Sequence, residues 1–346
     1  MSTARYVGRR LLLLIPQMLL ISMVTFVLIR MLPGDPARLM VGPLASEAGV
    51  QALRDKMHLN SPIPEQYVIY LNGILHGDLG RSWTSGTSVL DDLAQRLPAT
   101  LELITFGLLF MLVVLLPLGA VTASRGGGVL NRALKRVTFI YGLLAGALPD
   151  FWLGLIFLFV FFTVLGWAPG PEGRLSIGVV PPPRVTGFYT IDSLIAGQFN
   201  TFLDAASHLV LPALTLGLVY GGQIYKTTRL MVGRALRSDY TAYLEGLGVP
   251  HRRVLLVALR NSAPPVIVMT GIIVGFLLGG AVLIETVFNL NGIGQYAVKA
   301  VTQADYAPMQ AFVLVAAAFT MLVYLVVDLL YFMVDPRVRS RGESRE

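Results

Sequence analysis

Apolar residues in this chain run in blocks longer than a soluble helix buries and too continuous for half-buried strands. A helix needs about 20 apolar residues to cross roughly 30 Å of hydrocarbon. Blocks of that size cover Leu11–Met31, Leu103–Ser124, Phe139–Leu165, Ala205–Tyr225, Pro264–Ile284 and Tyr306–Val327. Asp150 interrupts the third, and His208 stands near the start of the fourth. The pattern predicts an all-α integral membrane protein with six transmembrane helices. Arg5, Arg9 and Arg10 precede the first block much as basic residues precede a signal sequence. That block is too long for a signal core and ends in RMLPGDP without a small-residue cleavage site, so it is read as a retained span.

Composition agrees with a bilayer as the solvent. Apolar residues make up 55% of the 346 residues, charged residues 14%, and the mean hydropathy is +0.68. Soluble domains carry about a quarter charged residues. The net charge of +7 would suit nucleic acid, but its distribution follows topology instead. One set of flanks collects Arg5, Arg9 and Arg10, then Arg125, Arg132, Lys135 and Arg136, then the arginines and lysine of 226–260, then those after Asp335. The opposite flanks hold a sparser scatter from Arg38 to Lys299. The rich side is predicted to be cytoplasmic, with both termini inside, and no nucleic-acid partner is expected. The absence of cysteine excludes disulfides and thiolate ligands. The four histidines (His58, His76, His208, His251) lack paired i, i+4 spacing, so no metal site is expected.

These features divide the chain into residues 1–32 (tail and first span), 33–98 (an extracytoplasmic segment), 99–335 (a five-span core) and 336–346 (a cytoplasmic tail). Within 33–98, SEAGVQALRDKMHL reads as a helix, with Glu47 favouring its start. The segment is either a connector packed on the outer face or a surface that receives a delivered substrate. The second outer segment, 166–204, opens with turn-forming GWAPGPEG and VVPPPR. Its later part, from DSLIAGQ into the fourth span, predicts an amphipathic helix along the membrane surface.

The inner loop 226–263 is the most informative. Apolar Leu230, Met231, Ala235 and Leu236 recur at helical spacing. Asp239 can start a short helix that Gly248 and Pro250 stop, and RRVLLVALRN continues helically towards Pro264 and Pro265. A short helix between two breakers in a basic loop suits docking into a partner's groove; it also describes an ordinary solvated loop.

Other patterns carry less. Gly292-Ile293-Gly294-Gln295-Tyr296-Ala297 fits a dinucleotide-binding spacing but follows a membrane span, so it reads as a close-packed turn. Gly221-Gly222 near Lys226-Thr227 does not make a phosphate-binding loop, because no glycine directly precedes the lysine. Asp150, Glu285 and Asp328 lie within or at the ends of spans, where an ionised carboxylate is costly. Asp150 and Glu285 are candidates for the transport path, or else pair with neighbouring basic or backbone groups. Gly275, Gly279 and Gly280 allow close helix contact at a subunit interface or within the bundle.

Asp239-Tyr240, Gly248, Arg252-Arg253-Val254-Leu255, Ala258-Leu259-Arg260-Asn261 and Pro265 resemble the cytoplasmic loop of binding-protein-dependent ABC importer permeases of the dipeptide/oligopeptide/nickel class. Further matches occur in order along the chain. They include Leu32-Pro33-Gly34-Asp35-Pro36, Gly77-Asp78-Leu79-Gly80, Arg96-Leu97-Pro98-Ala99-Thr100-Leu101, Leu211-Pro212-Ala213, Gly292-Ile293-Gly294, Asp305-Tyr306 and Asp335-Pro336-Arg337. The first motif and the long outer segment resemble the first of the two permeases this class uses. Where the general family motif has Glu-Ala-Ala, this chain has Ala242-Tyr243-Leu244.

The resemblance implies a type I importer permease fold in a bacterial inner membrane. It places ATPase coupling at Asp239, Tyr240, Ala242, Tyr243, Leu244, Glu245, Gly248, Arg252 and Arg253. It implies a second, similar permease, two ATP-binding subunits holding ATP and magnesium, and an extracytoplasmic binding protein. No cofactor and no catalysis are implied for this chain itself. The substrates of the class include peptides, nickel chelates, glutathione-like molecules and opines. A stand-alone secondary transporter or a membrane scaffold remains the alternative.

Overall fold

The computed structural model describes residues 3–31, 36–42, 45–57, 59–124 and 129–334. His58, Arg125, Leu32 to Asp35 of the first family-like motif, Asp335-Pro336-Arg337 and the tail 336–346 lie outside the described residues. The described chain is helical, and its β-structure amounts to an isolated bridge between Arg81 and Ser88.

Helix α1 (Thr3–Arg30) is followed by three short helices, α2 (Pro36–Val41), α3 (Glu47–Lys56) and α4 (Ile63–Leu75). Helix α5 (Val89–Phe110) runs through a π-turn at Met111–Leu115 into α6 (Leu116–Ala123). Then come α7 (Val129–Leu144), α8 (Asp150–Phe157) with a π-helical extension at Leu158–Val164, and the short α9 (Tyr189–Ile195). Helix α10 (Phe199–Ala235), α11 (Asp239–Gly246), α12 (His251–Phe288), α13 (Ile293–Thr302) and α14 (Tyr306–Val334) complete the chain. Five helical stretches are long and apolar enough to span a membrane: Arg10–Arg30, Val89–Ala123, Phe199–Ala235, His251–Phe288 and Tyr306–Leu330. Asp150–Val164 is a sixth, shorter apolar helix.

The bundle centres on α10 and α12, with α5 and α6 against α10 and α14 against α12. Helix α1 lies on the far side of α14. Leu103, Met111, Leu216, Ile224, Leu277 and Ile284 are wholly buried at the centre. Lipid tails are as apolar as leucine, so close packing rather than burial holds such helices together. Glycine supplies the close approach. A Cβ on Gly222 would lie 2.2 Å from that of Ala145, and one on Gly271 would lie 2.2 Å from Val327. Gly280 accommodates the Tyr220 ring in the same way, so it packs within the bundle. Gly279 has open space around it.

Three elements depart from the sequence expectation. The third span is divided: α7 ends at Leu144, Gly146 turns the chain at φ +83°, and α8 restarts at Asp150 behind Pro149. Both long helices outrun their apolar blocks, because a helix continues past the membrane wherever its backbone bonds can. Helix α12 passes through Pro264 and Pro265 rather than ending there. The expected surface helix from DSLIAGQ is cut by Gly197 at φ +68°; α9 ends at Ile195, and from Phe199 onward the chain already belongs to α10. Helix α3, by contrast, begins at Glu47 as its sequence signals, with Ser46 Oγ accepting the Gly49 amide at 3.2 Å.

At the end of the bundle opposite α11, the connecting loops are pinned by buried polar groups. Asp192 is 1% exposed and accepts from the backbone amides of Val185, Thr186 and Gly187 and from the Thr186 hydroxyl. Burial alone would raise its pKa, but these donors hold it below the usual carboxylate range. Asp204 fixes Ser176 through both its amide (2.8 Å) and its hydroxyl (2.6 Å). Asp305, at the entry to α14, accepts from Ser82 Oγ (2.7 Å), Thr84 Oγ1 (2.9 Å) and the Thr84 amide (3.2 Å). The GDLGRSW loop is thereby tied to the last span.

Candidate functional site

The loop between α10 and α12 folds into one compact unit. Ser238 adopts extended backbone (φ −80°, ψ 158°) and opens α11. Its hydroxyl and that of the fully buried Thr241 both donate to the Ala235 carbonyl, at 2.6 and 2.7 Å. One carbonyl at the end of α10 therefore receives both hydroxyls from α11, which fixes the angle between the helices. The far end closes just as firmly. Gly248, at φ +76°, donates to the Glu245 carbonyl at 2.9 Å, and Val249 donates to the Leu244 carbonyl at 3.1 Å. This is a Schellman motif, and the left-handed position explains glycine there. Pro250 comes directly after as N-cap of α12.

Leu244 and Val249, the two residues bridged by that motif, pack against Val232, Ala235, Leu236, Val254, Ala258 and Ala120. This small core joins α6, α10, α11 and α12, so α11 is seated on both long helices. Its other face is open. Tyr240, Tyr243 and Leu247, spaced i, i+3, i+7, are 38, 68 and 63% exposed, and they form one outward stripe. Asp239, Ala242, Glu245, Gly248, Arg252 and Arg253 are exposed around it. Of the residues the sequence marks for this site, all but one lie at its surface. Leu244 is the exception, because it turns inward as the anchor.

Asp150 and Glu285 lie in different settings. Asp150, the first residue of α8, accepts from the Phe151 amide (2.8 Å) and from Tyr220 Oη at 3.1 Å, while staying partly accessible. Glu285 is wholly buried near the end of α12. It accepts from Thr100 Oγ1 and from the Gln295 amide (2.9 Å), while the Ile293 amide donates to Thr100 Oγ1 at 2.9 Å. A Cβ on Gly292 would fall 2.5 Å from its carboxylate, so the Gly-Ile-Gly turn wraps directly around Glu285. Tyr296 Oη donates to Asp92 at 2.9 Å and Arg96 donates to Asn291, extending the clamp between α5 and the α12–α13 turn. Asp328, the third carboxylate, pairs with Arg10 at 2.9 Å, joining α14 to α1.

Sequence reasoning misses Glu102. It stands one residue before the second apolar block, yet it lies deep in α5 with 2% exposure. Arg174, in the loop between α8 and α9, pairs with it, also donates to the Gly187 carbonyl at 2.9 Å, and stacks 3.6 Å from the centre of the Tyr189 ring. Thr190 adds its amide (2.9 Å) and hydroxyl (2.6 Å) to the same carboxylate. The sequence signal that points towards this pair is weak: Arg174 is one of two arginines, with Arg184, in the Gly/Pro-rich segment 166–204.

Comparison with known proteins places this geometry in a class. Residues 94–340 match the family described as binding-protein-dependent transport system inner membrane component. Residues 3–104 match the N-terminal region of the same class of membrane components. The chain belongs to this family and is a multi-pass bacterial inner-membrane permease. It is 39% identical over 325 residues to the probable D,D-dipeptide transport system permease DdpB of Escherichia coli K12, covering 93% of this chain and 94% of that protein. It is 38% identical over 340 residues to the di/tripeptide transport system permease DppB of Pseudomonas aeruginosa, covering 97% and 99%. It is 35% identical over 337 residues to the dipeptide permease DppB of Alkalihalophilus pseudofirmus, covering 96% and 99%.

Proposed function

We propose that this chain is the first of two permease subunits in an ATP-driven, binding-protein-dependent importer of di- or oligopeptides, and that it works by alternating access. The α11 unit carries the proposal: an eight-residue helix tied to α10 at its start and closed by a Schellman turn at its end, with an open stripe of Tyr240, Tyr243 and Leu247 and a partly buried Leu244 anchor. The excess of Lys and Arg in the flanks on the α11 side puts that end in the cytoplasm. Of two ATP-binding subunits, holding ATP and magnesium, one receives α11 in a cleft through Tyr240, Tyr243 and Leu247. A second permease completes the path, and a binding protein delivers peptide at the opposite end. The names of the relatives support peptide as the cargo.

The mechanism rests on continuity. Helix α10 has 37 residues and α12 has 38, and both meet in the core beneath α11. At 1.5 Å per residue, each reaches through the bilayer. When the ATPases close, a push on α11 moves the inner ends of both helices together. At the outer end, α12 is locked to α5 through Glu285 and Thr100, so the motion passes to the outer gate as a rigid-body tilt. Asp150 is the better placed of the two candidate path carboxylates, since it keeps free surface and faces Tyr220 of α10. Glu285 acts on the path indirectly by holding the α12–α13 turn.

The test is uptake of a labelled dipeptide into vesicles containing the assembled transporter. Uptake is expected only with the binding protein present and ATP hydrolysed. Equal uptake with a non-hydrolysable ATP analogue would make the protein a secondary transporter and overturn the proposal.

A further inference from the structure

A cavity of about 320 Å³ opens between α7 and the α11-proximal end of α10. Its polar wall is cationic: Lys226 and Arg229 of α10, and Arg237 just beyond that helix. None of the three pairs with a carboxylate among the described residues. Lys226 Nζ reaches only the Ala145 carbonyl, at 3.4 Å, and Arg229 donates to Tyr225 Oη at 3.2 Å. Three positive charges around one cavity repel unless an anion is supplied. The remaining wall is apolar and open outward, with Phe139, Leu143 and Leu230 at 56, 63 and 46% exposure. Helix α7 itself packs only lightly, on α6 and α10.

We infer that this cavity binds an anionic phospholipid. The head-group phosphate lies among Lys226, Arg229 and Arg237, and the acyl chains run over Phe139 and Leu143. A soluble anion would satisfy the charges but leave the apolar wall uncovered; a neutral lipid would cover the wall but not the charges. Basic pockets between transmembrane helices on the cytoplasmic side suit such head groups. The bound lipid ties the loosely held α7 to α10 beside the coupling loop. The leaflet assignment rests on the orientation proposed above.

The experiment uses the assembled transporter in nanodiscs of equal parts phosphatidylglycerol and phosphatidylethanolamine, with native mass spectrometry of the retained lipid. Preferential retention of phosphatidylglycerol is expected. Changing any one of Lys226, Arg229 and Arg237 to Gln should lower that preference about fivefold, the equivalent of about 1 kcal/mol per basic residue near an anionic surface. The pair Arg229→Lys/Arg237→Lys keeps the charge and should keep the preference, which separates lost binding from lost folding. Equal retention of the two lipids, or an unchanged preference in the triple Gln variant, would overturn the inference. Displacement of the lipid by glycerol phosphate would also overturn it, by showing a site for soluble phosphate. The nanodisc readout does not depend on orientation. Labelling of Arg237→Cys by an impermeant reagent from one side of sealed vesicles tests orientation separately.

Discussion

Replacing Leu244 with aspartate is expected to uncouple transport from ATP hydrolysis, lowering ATP-dependent peptide uptake at least about tenfold. Leu244 packs into the small core shared by α6, α10, α11 and α12. This position is partly buried against an apolar cluster that includes Val232 and Val254, and a carboxylate turned towards such a surface without a partner is strongly destabilising. The cheapest relief is for α11 to lift from the core and expose the new side chain. A lifted helix still meets the ATPase but no longer moves α10 and α12. The accompanying signature is ATP hydrolysis that persists but loses its stimulation by the loaded binding protein. Tyr243→Asp is the matching surface variant. Its side chain is 68% exposed, so α11 stays seated and the ATPase contact is what fails. Hydrogen exchange separates the two: the α11 amides should lose protection in Leu244→Asp and keep it in Tyr243→Asp.

The second large effect lies at the opposite end. Arg174→Ala strips from Glu102, which is 2% exposed, the one cation that pairs with it among the described residues. Breaking a buried ion pair from one side costs about 3–5 kcal/mol, because the remaining charge is left uncompensated. Thr190 continues to donate twice to that carboxylate but brings no charge. The thermal midpoint of the purified permease should fall clearly. Adding Glu102→Gln removes the stranded charge while keeping an acceptor for Thr190, so the double variant should recover about half of the loss. A double variant no better than the single one would mean that Arg174 acts through its Tyr189 stack and its bond to Gly187 instead.

These two sites differ in how far the sequence discloses them. The spans are legible because the bilayer demands long apolar runs, and α11 is legible because Asp239, Gly248 and Pro250 are local punctuation acting on their own neighbours. In the third span the sequence shows the interruption at Asp150, whereas the turn at Gly146 that divides the span is seen only in the structure. Long-range pairing is what the sequence hides. Thr100 belongs to one family-like motif and Gly292-Ile293-Gly294 to another, yet Thr100 donates to Glu285 and accepts from Ile293 across more than 180 positions. Likewise, Asp305 holds the loop after Gly77-Asp78-Leu79-Gly80. Nothing in the spacing of either motif names its partner. Glu102 is hidden for a related reason: a carboxylate at the edge of an apolar block looks solvated until the loop carrying Arg174 folds over it. Leu244 reads as one more surface residue of the coupling segment, because eight residues are too few for periodicity to separate its two faces.

The most direct measurement is disulfide cross-linking in the assembled transporter between Tyr243→Cys and a cysteine in the cleft of the ATP-binding subunit. The account predicts efficient cross-linking, with inhibition of peptide uptake that reduction reverses. Leu244→Cys, facing the internal core, should cross-link poorly under the same conditions. Failure of Tyr243→Cys to react with the ATPase, alongside reaction of a cysteine placed in the outer loop near Ile177, would invert the topology and contradict the coupling role of α11.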